Sequence, residues 1–77
     1  MEYYVPEGLT KAQVKAIIKA HENYGIGVAF QPSKIRQTIA DFARITDAGY
    51  ARHCSTWASC NAFFLTEKAL EVVNANS

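Results

Sequence analysis

The order of patterns between Pro32 and Val73 constrains the fold of this 77-residue chain more than any other feature. A segment with helical periodicity ends at Ala48-Gly49-Tyr50, and a run rich in strand-forming residues follows it. That run turns near Trp57-Ala58, and Thr66 begins a short apolar helix pattern. The segment therefore predicts a helix, a β-hairpin over residues 50–65 and another helix, in that order.

Residues 33–48 predict one amphipathic helix. Pro32 suits a helix entry, Ser33 can cap the first turn, and Gly49 can take the left-handed conformation that ends many helices. When residues are placed about 100° apart, an apolar and a polar stripe appear. The apolar stripe holds Ile35, Ile39, Phe42, Ile45 and Thr46, and the polar stripe holds Ser33, Gln37, Ala40 and Arg44. The polar stripe is either an ordinary solvated surface or a ligand-binding face.

A preceding helix is predicted over residues 10–24. Thr10 can accept a backbone N–H of the first turn, and Gln13 three residues later completes a capping-box pattern. Gly25 supplies a C-terminal stop. The stretch from there to Gln31 leaves room for one helical turn or a short strand.

The last helix is predicted over residues 66–74. Thr66 can cap it, and Glu67 would lie in its first turn, where the helix dipole favours a carboxylate. With the other elements, this pattern predicts an α+β fold. The length of the chain predicts one domain over residues 1–77.

Composition and charge limit the classes of protein. With 49% hydrophobic and 19% charged residues, the chain is typical of globular proteins. No apolar run reaches the roughly 20 residues that cross a bilayer, and the first residues lack a signal-peptide pattern. We therefore expect a cytoplasmic protein with no membrane partner. Net charge is only +1, yet residues 8–56 carry seven basic and three acidic side chains.

The only group with metal-ligand chemistry is His53, Cys54 and Cys60. A structural zinc ion normally takes four ligands with closely spaced cysteine pairs, which this group lacks. Adjacent strand residues point to opposite faces, so His53 is poorly placed to activate Cys54 as a nucleophile. There is no glycine-rich phosphate loop. We therefore expect no enzyme activity, no metal and no cofactor.

The segment PSKIRQTIADFARITDAGYARH resembles the recognition helix and first wing strand of winged helix-turn-helix regulators. The segment FFLTEKALEVV is similar to their second wing strand and the helix after it. This resemblance implies a transcriptional regulator that binds double-stranded DNA, and we expect a homodimer because a lone module of this size offers few phosphate contacts. Its helix from Ser33 would enter the major groove. The chain departs from the family pattern at residues 25–31, which are too short for a full second helix, and at Ala69, where glycine is frequent.

The resemblance also implies which side chains contact DNA. The base-facing positions are Ser33, Lys34, Arg36 and Gln37, near the start of the predicted helix. The phosphate contacts are Arg44, Arg52 and His53. Glutamine can pair with adenine, and arginine or lysine with guanine, so the required chemistry is available.

An alternative hypothesis is a protein-binding adaptor or inhibitor on the same scaffold. Trp57 lies near the tip of the predicted wing, and tryptophan is enriched at protein interfaces. The weak net charge agrees with a host or partner protein as the ligand. Binding to DNA should fall steeply with salt, whereas an aromatic protein interface should not.

Overall fold

The computed structural model describes residues 3–54 and 62–77. Within these ranges the fold is α+β, as predicted, and combines helices with a two-stranded antiparallel sheet. The helices are α1 (Lys11–Tyr24), a 3₁₀ turn (Pro32–Ile35), α2 (Ile39–Asp47) and α3 (Ala69–Ala75), and the strands are β1 (Ala51–Cys54) and β2 (Ala62–Leu65). In the described part of the chain, no helix combines the length and the apolar character needed to cross a membrane.

Helix α1 begins and ends where the caps predict. The backbone N–H of Gln13 donates to the Thr10 hydroxyl at 3.3 Å, and the Gln13 side-chain oxygen accepts from the Thr10 N–H at 3.0 Å. Gly25 ends the helix at φ 80°, a conformation that side-chain-bearing residues rarely adopt. The helix buries Val14 and Ile17 completely. The prediction for residues 10–24 is therefore confirmed.

The predicted helix over residues 33–48 is wrong, because the structure divides it into the 3₁₀ turn and α2. Arg36 ends the 3₁₀ turn in the left-handed conformation at φ 59°, and Thr38 begins a new helix. The Thr38 hydroxyl accepts from the Asp41 N–H at 3.2 Å and donates to the Asp41 carboxylate at 3.0 Å. This second cap competes with a continuous helix. The break turns Ile39 outward, with 49% of its surface exposed.

The hairpin lies where it was predicted, as far as the described residues extend. Strands β1 and β2 pair with Ala51 opposite Leu65 and Cys54 opposite Ala62. The predicted turn near Trp57 lies outside the described residues.

The segment Ile26–Phe30 meets the other edge of β2 at two isolated bridges, with Ile26 parallel to Leu65 and Phe30 antiparallel to Phe63. Gly27 donates its N–H to the Leu65 carbonyl at 3.0 Å, and Phe30 and Phe63 exchange two backbone hydrogen bonds of 2.8 Å each. The sequence left one helical turn or a short strand open here, and the structure forms neither, because the two bridges are isolated and run in opposite senses. β2 lies between this segment and β1.

The predicted start of the last helix is wrong. Helix α3 begins at Ala69, and Lys68 rather than Thr66 is its N-cap residue, without a side-chain capping bond. The Thr66 hydroxyl instead donates to the Gly49 carbonyl at 2.8 Å. The Thr66 hydroxyl, which the local pattern assigned to a helix cap, therefore bonds to a residue far away in the sequence.

A chain of aromatic rings joins the elements in the core. Tyr24 stacks on Phe30 with 5.0 Å between ring centroids, Phe30 meets Phe42 edge-on at 5.2 Å, and Phe42 lies 5.7 Å from Phe63. Such pairs add about 0.5–1.5 kcal/mol each beyond the burial of their surface. Because these rings come from α1, the Ile26–Phe30 segment, α2 and β2, they fix α2 relative to the sheet.

Candidate nucleic-acid interface

The 3₁₀ turn presents a compact group of polar side chains. Ser33, Lys34 and Arg36 are exposed, while Pro32 and Ile35 are buried and anchor the turn. Backbone bonds close it, because the Arg36 N–H donates to Ser33 at 3.2 Å and the Gln37 N–H donates to Pro32 at 2.9 Å. The turn therefore holds two cations on a fixed backbone.

The conformation of Arg36 is unusual for its residue type. Across residues 3–54 and 62–77, it is the single non-glycine position with positive φ. A left-handed backbone costs an L-residue with a side chain roughly 1–2 kcal/mol, whereas glycine avoids that penalty. Strained residues of this kind cluster at functional sites. Arg36 is therefore a candidate for a functional role that needs its side chain, because glycine would fit the same backbone without strain.

The predicted base-facing residues precede α2 instead of lying along it. Ser33, Lys34 and Arg36 belong to the 3₁₀ turn and its end, and half-buried Gln37 lies between that turn and the Thr38 cap. The side chains exposed on α2 itself are Ile39, Ala40, Ala43, Arg44 and Asp47. Sequence reasoning missed Ile39 and Ala43, because the first was assigned to the core and the second to neither stripe.

Arg44 is the only basic residue on α2. Its side chain is exposed and lines a shallow cleft with Asp47 and with Leu9, Thr10 and other residues before or within the start of α1. Of the two acids on α2, half-buried Asp41 is bonded to the Thr38 hydroxyl. The N-terminal part of α2 therefore presents no free carboxylate among its exposed side chains.

The hairpin places Arg52 and His53 on opposite faces, as neighbouring strand residues must be. Arg52 pairs with Phe64 across the strands and lines a cleft with Gly49 and Glu67. The His53 ring meets the edge of Phe63 with 5.1 Å between centroids, so it covers a buried core residue. Arg52 is thus the hairpin side chain more available to a ligand.

The two segments that carry the family resemblance contact each other. The Lys68 ammonium donates to the Ala48 carbonyl at 3.0 Å and lies 4.8 Å from the centre of the Tyr50 ring. The Thr66 N–H donates to the Tyr50 carbonyl at 3.1 Å. We call this set, with the Thr66–Gly49 bond, the AGY–LTEK junction. It fixes the C-terminal end of α2 against the start of α3, and local sequence patterns do not reveal such a contact.

Trp57, predicted as a protein-interaction residue, and Cys60, considered above as a metal ligand, lie outside the described residues. Cys54 is half-buried on β1. Within residues 3–54 and 62–77, no three His, Cys, Asp or Glu side chains are grouped in a way that could hold a metal ion.

No protein-family model, curated protein or solved structure matches the chain.

Proposed function

We propose that this chain is a winged helix-turn-helix domain that binds double-stranded DNA and regulates transcription in the cytoplasm, without enzymatic activity. The order and pairing of its elements carry the proposal. Helix α1, the Ile26–Phe30 segment on β2, the 3₁₀ turn, α2 and the β1–β2 hairpin follow one another as the elements of that fold do. The 3₁₀ turn then replaces the second helix, and the hairpin is the wing.

This correspondence changes which element enters the major groove. The recognition helix is α2, which begins at Ile39 after the Thr38 cap. Lys34 and Arg36 lie just before its N-terminus, where phosphate contacts commonly position such a helix. Ser33 and Gln37 flank them, and Arg44 and Arg52 supply further cations from α2 and the wing.

Charge supports phosphate contact by the 3₁₀ turn. From Ser33 to the end of α2 the chain carries Lys34, Arg36 and Arg44 against two acids, of which Asp41 is bonded to its own helix cap. A lone module with these few cations offers a small number of phosphate contacts. We therefore propose a homodimer on two half-sites, which doubles that number.

Fluorescence anisotropy with labelled duplex DNA tests the proposal. If the protein makes six or more phosphate contacts, raising the salt concentration from about 50 to about 200 mM should lower its affinity for DNA roughly a thousandfold. Replacing Lys34 with alanine and Arg36 with glycine should reduce the slope of log affinity against log salt by about one per lost contact. Glycine is chosen at position 36 because it keeps the left-handed backbone.

Lys19→Ala is the control, because Lys19 is exposed on α1 and away from the 3₁₀ turn in the sequence. It should leave the salt slope unchanged. Absence of binding at both salt concentrations would contradict the DNA proposal. An unchanged slope in the double variant would contradict the role of the 3₁₀ turn.

The protein-binding alternative is favoured by one observation, the apolar character of the surface of α2. Ile39 is 49% exposed, and Ala40 and Ala43 are exposed beside it. If the protein does not bind DNA, the next experiment is to capture a partner protein with it. Trp57→Ala should then weaken capture by more than about 1 kcal/mol, the scale of an interface hot spot.

A further inference from the structure

We propose that α2 recognises thymine through its exposed apolar side chains, an inference that rests on the DNA-binding function proposed above. The side chains are Ile39, Ala40 and Ala43, which we call the α2 apolar patch. Each is exposed, and Ile39 exposes 49% of its surface. Residues three and four apart on a helix are neighbours, so the three side chains form one surface.

The patch lies at the capped, N-terminal end of α2. The Thr38 cap and its bonds to Asp41 fix the first turn. Phe42, three residues after Ile39, faces the core and is completely buried among the core aromatic rings. A rigid helix with its N-terminal half outward is how helix-turn-helix proteins present base-contacting residues.

The charges beside the patch argue for a polyanion as its occupant. Lys34 and Arg36 precede it, and Arg44 lies four residues after Ala40 on the same face. Asp41 is engaged in the cap, and exposed Asp47 follows Ala43 by one helical turn, so three cations face one free acid around the patch. The major groove has a phosphate backbone on each side and base edges between them. Cations at both ends of an apolar surface complement that arrangement.

The chemistry of the major groove then selects the base. Thymine presents a C5-methyl group there, and alanine side chains and other apolar groups contact it. The α2 apolar patch has no amide or guanidinium group that would pair with adenine or guanine. Each thymine methyl covered by the patch should therefore strengthen binding about fourfold, which corresponds to about 0.8 kcal/mol.

The test compares two duplexes that differ only in those methyl groups. One is an alternating dA-dT duplex, and the other carries deoxyuridine at every thymidine position. Both have the same charge and the same hydrogen-bonding groups. The protein should bind the thymine duplex at least about fourfold more tightly, because at least one methyl is covered.

Two variants assign the effect to the patch. Ile39→Ser should bring the affinity ratio of the two duplexes towards one. Val28→Ser is its matched control, since Val28 is also 49% exposed but lies in the Ile26–Phe30 segment. The control should keep the wild-type ratio, and circular dichroism checks that both variants fold.

The outcomes separate this inference from the function on which it rests. Salt-sensitive binding of both duplexes with an affinity ratio of one would overturn thymine recognition and leave DNA binding in place. A ratio that survives Ile39→Ser would overturn the assignment to the patch. Absence of binding to either duplex would overturn the proposed function itself.

Discussion

The environment of Tyr50 shows how one side chain at the AGY–LTEK junction responds to pH. Burial raises the pKa of its phenol above the ordinary value of 10.0, and the negative charges of Glu71 and ionised Tyr4 raise it further. The folded chain therefore holds this proton more tightly than the unfolded chain does. The resulting stabilisation is complete below the ordinary pKa and is lost as the pH rises past it.

We expect the free energy of unfolding to fall between about pH 8 and about pH 11, and to fall less in Tyr50→Phe. Phenylalanine keeps the ring that faces Lys68 and removes only the titrating hydroxyl. Urea denaturation followed by circular dichroism at both pH values measures the difference. An equal fall in both proteins would show that Tyr50 does not contribute.

Single residues also explain where prediction from the sequence stops. The capping box of α1 was predictable because Thr10 and Gln13 lie three residues apart and their capping hydrogen bonds join only these two residues. Thr66 has the same capping chemistry, but its hydroxyl bonds to the carbonyl of Gly49, 17 residues away. A local pattern identifies the group available for bonding, and the tertiary fold decides its partner.

At the scale of the element, the sequence contains a pattern that predicts the break within residues 33–48, but the periodic apolar residues favoured a continuous helix. Thr38 followed by Asp41 is a capping pattern inside the segment. The spacing of the apolar residues nevertheless favoured one helix, because a break normally carries glycine and here carries Arg36. The exposed cations of the candidate site were predictable from the sequence, whereas the element that holds each of them was not.

The Thr38 cap should matter for DNA recognition as well as for stability. Replacing Thr38 with alanine removes both hydroxyl contacts to Asp41 and should lower the free energy of unfolding by about 1 kcal/mol. Because α2 carries the proposed base contacts, the same change should reduce the preference for thymine over deoxyuridine duplexes. Urea denaturation and anisotropy measure the two effects.

Thr10→Ala is the matched control, since it removes the corresponding cap of α1. It should destabilise the fold by a similar amount and leave the thymine preference intact. If both variants lose the preference equally, general destabilisation rather than the position of α2 explains the loss.

At the scale of the whole molecule, the N-terminal arm is connected to the other end of the described chain. The Tyr4 N–H donates to the Asn76 side-chain oxygen at 2.7 Å, and the Asn76 amide donates back to the Tyr4 carbonyl at 3.2 Å. The Tyr3 ring lies under the Lys15 ammonium on α1, with 5.7 Å to the ring centre. Tyr3 and Tyr4 thus pack beside α1 and the end of α3.

A chain this short has a small core, so connections between its ends should contribute measurably to stability. Asn76→Ala removes the two bonds to Tyr4 and a third to the Val72 carbonyl, and should lower the free energy of unfolding by about 1–2 kcal/mol. Asn74→Ala is the matched control, because Asn74 is exposed on α3 and its substitution leaves those bonds intact. Equal loss in both variants would contradict a specific connection. DNA affinity should be unchanged in both, since neither side chain belongs to the 3₁₀ turn or α2.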